Sequence, residues 1–151
     1  MMRNRFLMLV ALVCMATGMV AQDNVAAQDS VKKVAEEYYK KGNAFWKSKD
    51  VDKALTYYGM AAEAGNPEAQ YLLGLLCMEG KKMVQDYVKA VEWLEKAAVQ
   101  GHKDAQHDLA SIYYQGKIVQ KDLEKAQYWA KKYKGLPDAD DGSDSTPKAQ
   151  P

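Results

Sequence analysis

Apolar residues recur at helical spacing through the middle of the chain. Between Asp86 and Gly101 they form an i, i+3, i+4, i+7 stripe that consists of Ala90, Trp93, Leu94 and Ala97. An earlier apolar segment follows Asn66, a capping residue, and Pro67, which suits a first helical turn, and it stops at Gly80. The pattern therefore predicts two consecutive helices, over about 67–80 and 86–101.

The chain also repeats itself at a fixed period. Residues 65–100 match residues 101–136 without a gap and are identical at eleven of thirty-six positions, among them Gly65/Gly101, Ala69/Ala105, Leu73/Leu109, Gly80/Gly116, Asp86/Asp122, Ala90/Ala126 and Trp93/Trp129. A period between 20 and 50 residues is typical of stacked helical and related arrays. The second unit predicts two further helices, from about Lys103 to Gly116 and from Asp122 to Lys134.

Several residues of this repeat resemble the pattern of the Sel1-like repeat, a relative of the tetratricopeptide repeat. They are Ala69, Leu73, Gly74, Gly80, Asp86, Lys89, Ala90, Trp93, Ala97, Ala98, Gly101 and His102. The resemblance covers about residues 67–134 and implies that each unit is a helical hairpin. It is informative about the fold, because the motif residues of this family pack helices together.

Upstream, the spacing changes. Gly42 and Ala54 are twelve residues apart, whereas the equivalent Gly74 and Ala90 are sixteen apart. The shorter loop resembles an ordinary tetratricopeptide repeat. Together, the resemblances imply an all-α fold, an α-solenoid of three antiparallel helical hairpins: a tetratricopeptide-like hairpin over residues 30–65 and two Sel1-like repeats over 66–101 and 102–135.

The N-terminus is typical of a secretory signal peptide. Arg3 and Arg5 precede ten consecutive apolar residues, Phe6 to Met15, and mostly small residues follow as far as Ala21. This apolar stretch is shorter than the roughly 20 residues that a membrane-spanning helix needs. We therefore expect residues 1–21 to be removed, and the remaining chain to be exported to the periplasm or secreted without membrane insertion.

Two alternatives concern this N-terminal region. Cleavage after Ala27 instead of Ala21 would also satisfy the preference for small residues before the cut. Lipid attachment at Cys14 is less favoured, because Val13 precedes it where lipoprotein signals resemble one another in having a small residue. With cleavage after Ala21, residues 22–29 are expected to form a flexible leader.

Charge and composition exclude some classes of partner. Without the signal the chain has nineteen lysines, twenty acidic residues and no arginine. Arginine is the residue best suited to bidentate contact with phosphate, so its absence and the near-zero net charge disfavour nucleic acid and acidic membrane surfaces. Residues 136–151 are rich in Asp, Ser, Pro and Gly and are expected to form a disordered acidic tail.

The sequence offers few candidate groups for chemistry. His102 and His107 are five residues apart across a predicted helix start, so they do not share one helical face. Ser30 and Lys33 match the Ser-x-x-Lys of penicillin-recognising enzymes, but the accompanying motifs are absent and Ser30 is expected to cap a helix. Cys77 is expected to be buried. We therefore predict no catalytic residue, no cofactor and no metal site.

A partner-binding groove is the predicted functional surface. In such stacks the first helix of each hairpin lines a concave groove. If Gly42, Gly74 and Ala110 are equivalent contact points between paired helices, nine side chains face the groove, and we call them the groove residues. They are Tyr39, Asn43, Trp46, Tyr71, Leu75, Met78, His107, Ser111 and Tyr114.

The aromatic and methionine content of this set favours a protein partner, since protein interfaces are enriched in such residues. Trp93, Trp129 and Tyr57 share one register of the repeat and are expected in the core instead. The sequence predicts an exported protein-interaction module that is not an enzyme. Other functions stay open: binding of cell-wall glycan or small molecules, a β-lactamase-like activity as described for some secreted relatives, and self-association.

Overall fold

Helices make up most of the described chain. The computed structural model describes the backbone of residues 17–137 and the side chains of residues 27–137. Six helices lie in this range: α1 (Thr17–Lys47), α2 (Val51–Glu63), α3 (Pro67–Glu79), α4 (Tyr87–Val99), α5 (Lys103–Gln115) and α6 (Leu123–Lys134). These described residues contain no strand. The chain divides into two compact units, of which the first ends at Ala69 and the second begins at Gln70.

Local capping signals fix the helix ends. The side chains of Asp50, Asp86 and Asp122 accept hydrogen bonds from backbone N–H groups three residues later, which caps α2, α4 and α6. Gly116 and Gly135 adopt the left-handed conformation that ends α5 and α6. The four helices predicted between residues 67 and 134 are confirmed. Most of their ends lie within one residue of the predicted position.

The N-terminal helix differs from its prediction. Residues 22–29, expected as a flexible leader, are helical within α1, and Ser30 lies inside that helix, so the prediction that Ser30 caps a helix was wrong. The physical reason is that no glycine or proline interrupts residues 19–41, so nothing ends the helix. Residues 1–16 of the predicted signal peptide and residues 138–151 of the predicted tail lie outside the described residues.

In the first unit, α1 and α2 pack through small side chains around one tyrosine. Tyr58 is buried beside Gly42, where an added Cβ would lie 2.6 Å from its Cδ1 atom. Asn66 is buried as well: its amide donates to Glu36 at 3.2 Å, and its Oδ1 accepts from the backbone N–H of Ala69 at 2.8 Å. Asn66 therefore caps α3 as predicted, and Gly42 is a point of close helix approach.

The second unit has a continuous apolar core. It joins Val91, Leu94, Ala97 and Ala98 of α4 to Ala105, Leu109, Ile112 and Tyr113 of α5 and to Ala126 and Trp129 of α6. Buried Gln106 fastens α5 to α4, because its Nε2 donates to the carbonyl oxygen of Ala98 at 2.9 Å. Cys77 is also buried, as predicted, and burial raises the pKa of its thiol.

The three aromatic residues expected in the core are buried to different degrees. Trp129 is only 6% exposed and belongs to the core of the second unit. Trp93 and Tyr57 are half-buried, and the Lys96 ammonium lies 3.9 Å from the centre of the Trp93 ring. Core packing therefore holds for Trp129, while Trp93 is a boundary residue covered by a lysine.

A close approach of α3 and α4 at Gly74 predicts a stability difference between Ala90 and Ala126. An added Cβ at Gly74 would lie 3.1 Å from the carbonyl oxygen of Ala90, and Ala90 is fully buried. Ala90→Leu should lower the free energy of unfolding by about 1–3 kcal/mol through overpacking. Ala126→Leu should cost less, because Ala126 borders an open cleft. Urea unfolding of both variants measures the difference, and equal losses would contradict it.

Candidate partner-binding surface

In the first unit, the predicted groove residues gather around Tyr58. The Tyr58 hydroxyl donates to Asn43 Oδ1 at 2.8 Å, and the Tyr58 ring lies 5.9 Å from that of Tyr39 and 6.2 Å from that of Trp46, centre to centre. Tyr39, Asn43 and Trp46 are spaced i, i+4, i+7 along α1, which places them on one face. Asn43 and Tyr39 are half-buried, whereas Trp46 is exposed. Trp46 is thus the accessible member of this group.

In the second unit, Tyr71 connects α3 to α5. Its ring stacks on the His102 imidazole with the centres 4.4 Å apart, and its hydroxyl donates to Asp108 Oδ2 at 3.1 Å. His102 also caps α5, since its Nδ1 accepts from the backbone N–H of Ala105 at 3.2 Å. These contacts give Tyr71 and His102 structural roles.

The remaining groove residues of the second unit lie on α3 and α5. Met78 and Ser111 line a shallow cleft of about 260 Å³ together with Asp108, Ile112, Gln115, Lys117 and Ile118. His107 and Tyr114 are exposed, and Leu75 is half-buried. The Lys121 ammonium lies 5.4 Å from the centre of the Tyr114 ring. The structure thus brings Met78 and Ser111 to one cleft and leaves Tyr114 accessible beside a lysine.

A second cleft, which sequence reasoning missed, runs along the surface between the packed helices α5 and α6. Its volume is about 540 Å³, and its walls include the groove residues His107, Ser111 and Tyr114 on α5 and Leu123, Ala130 and Tyr133 on α6. The 36-residue period carries the signal that would have revealed it. Each of these α6 positions has a counterpart in α4. Helix α4 packs against α5, whereas no described helix follows α6 to pack against the same positions.

The Ser30–Lys33 pair and possible metal-binding groups are the two arrangements that could have carried chemistry. Ser30 and Lys33 are both exposed one turn apart on α1. Among the residues that the structure describes, no group of three or more His, Cys, Asp and Glu side chains is arranged to hold a metal ion. The described helices also include none long and apolar enough to cross a membrane.

Comparison with known proteins confirms the resemblance. A family model for the Sel1 repeat matches residues 20–66, 67–102 and 103–132. The first of these segments contains the hairpin with the shorter loop, so the same model covers all three hairpins. A search of curated proteins found no match.

Solved structures support the same fold. A Sel1 repeat protein from Oxalobacter formigenes is 26% identical, with a TM-score of 0.64 over 82% of this chain and 92% of that protein. A protective antigen of uropathogenic Escherichia coli strains is 30% identical, with a TM-score of 0.62 over 72% of this chain and 25% of the antigen. Cysteine-rich protein B of Helicobacter pylori, at 24% identity, covers 75% of this chain and 92% of its own with a TM-score of 0.55, and it shares the fold. The prediction of an all-α helical-repeat fold is confirmed.

Proposed function

The chain belongs to the Sel1 repeat family, and from this premise we propose that it is an exported adaptor that binds a partner protein through exposed side chains of its first helices. The Sel1-repeat fold is typical of protein-interaction modules without catalytic activity. The exposed groove residues are the proposed contacts, with Trp46 as the anchor in the first unit and Tyr114 as the anchor in the second.

The observation that carries this proposal is the exposure of these two aromatic side chains. Trp46 is 39% exposed and Tyr114 is 64% exposed, although both rings could bury a large apolar area. Tryptophan and tyrosine are the residues that most often dominate binding energy at protein interfaces. Their positions, on the first helices of two hairpins, are those that the repeat register assigns to the groove.

Both anchors have neighbouring groups that restrict their side chains on one side. The Trp46 ring lies against the ring of Tyr58, whose hydroxyl is held by Asn43. The Tyr114 ring has the ammonium of Lys121 beside it. Side chains that are ordered before binding lose less conformational entropy on association, so more of their contact energy appears as affinity. Tyr39 and Asn43 therefore support binding indirectly, by positioning Tyr58 behind Trp46.

The exported location is the second part of the proposal. It is supported by Arg3 and Arg5 and by the apolar run from Phe6 to Met15. The Sel1 match begins at residue 20, so cleavage after Ala21 would remove only the edge of the first matched segment. An exported chain of this kind would meet its partner in the cell envelope or outside the cell.

Truncating an anchor should separate binding from stability. Trp46→Ala and Tyr114→Ala should each weaken partner binding by about 2 kcal/mol, roughly thirtyfold, because interface aromatics contribute at this level. Stability should change far less, since both side chains are exposed. The measurement compares recovery of partner proteins from envelope extract with the urea midpoint of each variant.

Tyr87→Ala is the matched control, because Tyr87 is 43% exposed and lies outside the groove residues. It should leave partner recovery unchanged. Cell-wall glycan and a chromogenic β-lactam are tested in parallel. The proposed function is wrong if the two anchor variants recover the same partners as the native chain. It is also wrong if the anchor variants abolish binding of glycan or hydrolysis of the β-lactam instead.

Export has its own test. The protein purified from its producing cells should have the mass of a chain that begins at Gln22, because signal peptidase cuts after small residues such as Ala21. Intact-mass spectrometry measures this directly. A mass for the full-length chain, or one that includes a diacylglycerol group on Cys14, would contradict export as a soluble protein.

A further inference from the structure

The cleft between α5 and α6 is apolar and open to solvent. Three large side chains at its walls are exposed, Tyr114, Leu123 and Tyr133. Ala126 and Ala130 lie between them, and Lys134 adds a positive charge at one end. Single exposed apolar residues are common on proteins, but several around one cleft of about 540 Å³ indicate a binding surface.

The repeat identifies what such a cleft accommodates. A shift of 36 residues relates Ala130, Tyr133 and Lys134 of α6 to Leu94, Ala97 and Ala98 of α4. The α4 residues are almost completely buried, and they belong to one core cluster with Ala105, Leu109, Ile112 and Tyr113 of α5. The cleft therefore corresponds, one repeat later, to the face of the α3–α4 hairpin that packs against α5. A helix could bind there in the same way.

The charges of this face differ between the two hairpins. On α4, Glu95 accepts a hydrogen bond from the Tyr113 hydroxyl at 2.7 Å, and the Ala98 carbonyl accepts one from Gln106. The equivalent positions on α6 are Lys131 and Lys134. A helix seated here as α5 is seated on α4 would thus face Lys131 where Tyr113 faces Glu95, and it would pass Lys134 in the wall of the cleft.

We propose that this cleft binds an acidic amphipathic helix of a partner protein, docked on α6 as α5 docks on α4. Such a helix has small or branched apolar residues at i, i+4 and i+7, as α5 has at Ala105, Leu109 and Ile112, and acidic residues at the positions of Gln106 and Tyr113. The proposal rests on the proposed function in one respect, that the ligand is a protein, and it concerns a surface distinct from the Trp46 anchor.

Helix α1 of a second copy of this chain fits the cleft poorly. The equivalence of Gly42 with Ala110 relates the apolar positions Ala105 and Leu109 of α5 to Glu37 and Lys41 of α1. These two side chains form an exposed ion pair at 2.7 Å. Placing this pair in an apolar cleft would remove both charges from water without compensation, so α1 of another copy is disfavoured.

The chain's own C-terminal segment lacks the apolar residues that the cleft would require. Residues 138–151 contain four aspartates, and their apolar side chains are limited to two alanines and two prolines. The aspartates match the lysines of α6, but nothing in the segment replaces Leu109 or Ile112. Acidic charge combined with an apolar stripe therefore distinguishes the proposed partner helix from this segment.

The test uses the full chain and synthetic peptides. The first peptide copies residues 102–115 with Gln106→Glu and Tyr113→Glu, and the second carries lysine at both positions. The acidic peptide should bind saturably and about tenfold or more tightly than the lysine peptide, because opposite charges meet Lys131 and Lys134. Isothermal titration measures affinity, and NMR shift changes at Ala130 and Tyr133 locate the site.

Two matched tyrosines of α6 provide the variants. Tyr133 lines the cleft and is 42% exposed, whereas Tyr128 lies outside it and is 45% exposed. Tyr133→Ala should lower the affinity for the acidic peptide about tenfold or more, and Tyr128→Ala should leave this affinity unchanged. Leu123→Ser is a second cleft variant in case Tyr133→Ala alters folding. Trp46→Ala should leave peptide affinity unchanged, so failure of the groove proposal and failure of this one are distinguishable.

The proposal is overturned if neither peptide binds saturably, if both bind equally, or if Tyr133→Ala and Leu123→Ser leave affinity unchanged. Replacing the four aspartates of residues 138–151 with asparagine tests the chain's own segment as the occupant. If that change strengthens peptide binding about tenfold or more, the segment occupies the cleft. If the full chain self-associates and Leu123→Ser abolishes this, a second copy occupies it. Either result also overturns the proposal.

Discussion

Trp129→Ala should be the most damaging single truncation in the second unit, lowering the free energy of unfolding by about 3–5 kcal/mol. Trp129 is the largest side chain of the core cluster, which also includes Leu109 and Ile112 of α5. Its removal would leave a cavity that neighbouring helices fill only partly. Because α6 is the last helix of the described chain, few other contacts hold it. Guanidinium unfolding followed by far-UV circular dichroism gives the loss.

Trp93→Ala is the control for this substitution. Trp93 occupies the same register one period earlier but is half-buried, with Lys96 across its outer face. Its truncation should cost clearly less than that of Trp129, since less apolar area returns to water. A Trp93→Ala loss equal to or larger than the Trp129→Ala loss would show that Trp93 contributes as much packing as Trp129 and is not a boundary residue.

Leu94→Ala should have the second-largest effect, about 2–5 kcal/mol. Leu94 is fully buried between α3 and α4, and an added Cβ at Gly74 would lie 2.8 Å from its Cγ atom. Truncation therefore removes the side chain against which α3 packs. Urea unfolding at 25 °C measures the loss.

Gly74→Ala then tests the contact itself. In the native background the added methyl group collides with Leu94 and should destabilise the chain. In the Leu94→Ala background the collision with Leu94 is removed and only the tight contact with the Ala90 carbonyl oxygen, 3.1 Å from the added Cβ, is left. The loss in the double variant should therefore be smaller than the sum of the two single losses. Additive losses would show that Gly74 and Leu94 are not in contact.

Helix positions could be predicted from the sequence because their signals are local. Asp86 and Asp122 cap helices through hydrogen bonds that span three residues, and Gly116 and Gly135 end helices by their own backbone conformation. The N-terminal helix was predicted poorly for the same reason. Serine is a common capping residue, but a helix can begin at Ser30 only if the residues before it are not helical. No glycine or proline among residues 19–29 precedes Ser30 to end the helix there.

The exposure of individual site residues could not be predicted, because it depends on contacts between distant parts of the chain. The register placed Asn43 in the groove, but not the hydrogen bond from Tyr58 that holds it. It also treated Trp93 and Trp129 alike, although a lysine covers the first and the core encloses the second. Predicting the cleft between α5 and α6 would have required knowing which face of α4 is covered by α5.

Site-specific photocrosslinking in the producing cells tests the interaction account most directly. A photoreactive phenylalanine analogue replaces Trp46 in one variant and Tyr87, an equally accessible tyrosine outside the groove residues, in another. If Trp46 anchors a partner, position 46 gives a discrete crosslinked product that contains a second protein of the cell envelope, and position 87 gives no such product. No product from position 46, or the same products from both positions, would contradict it.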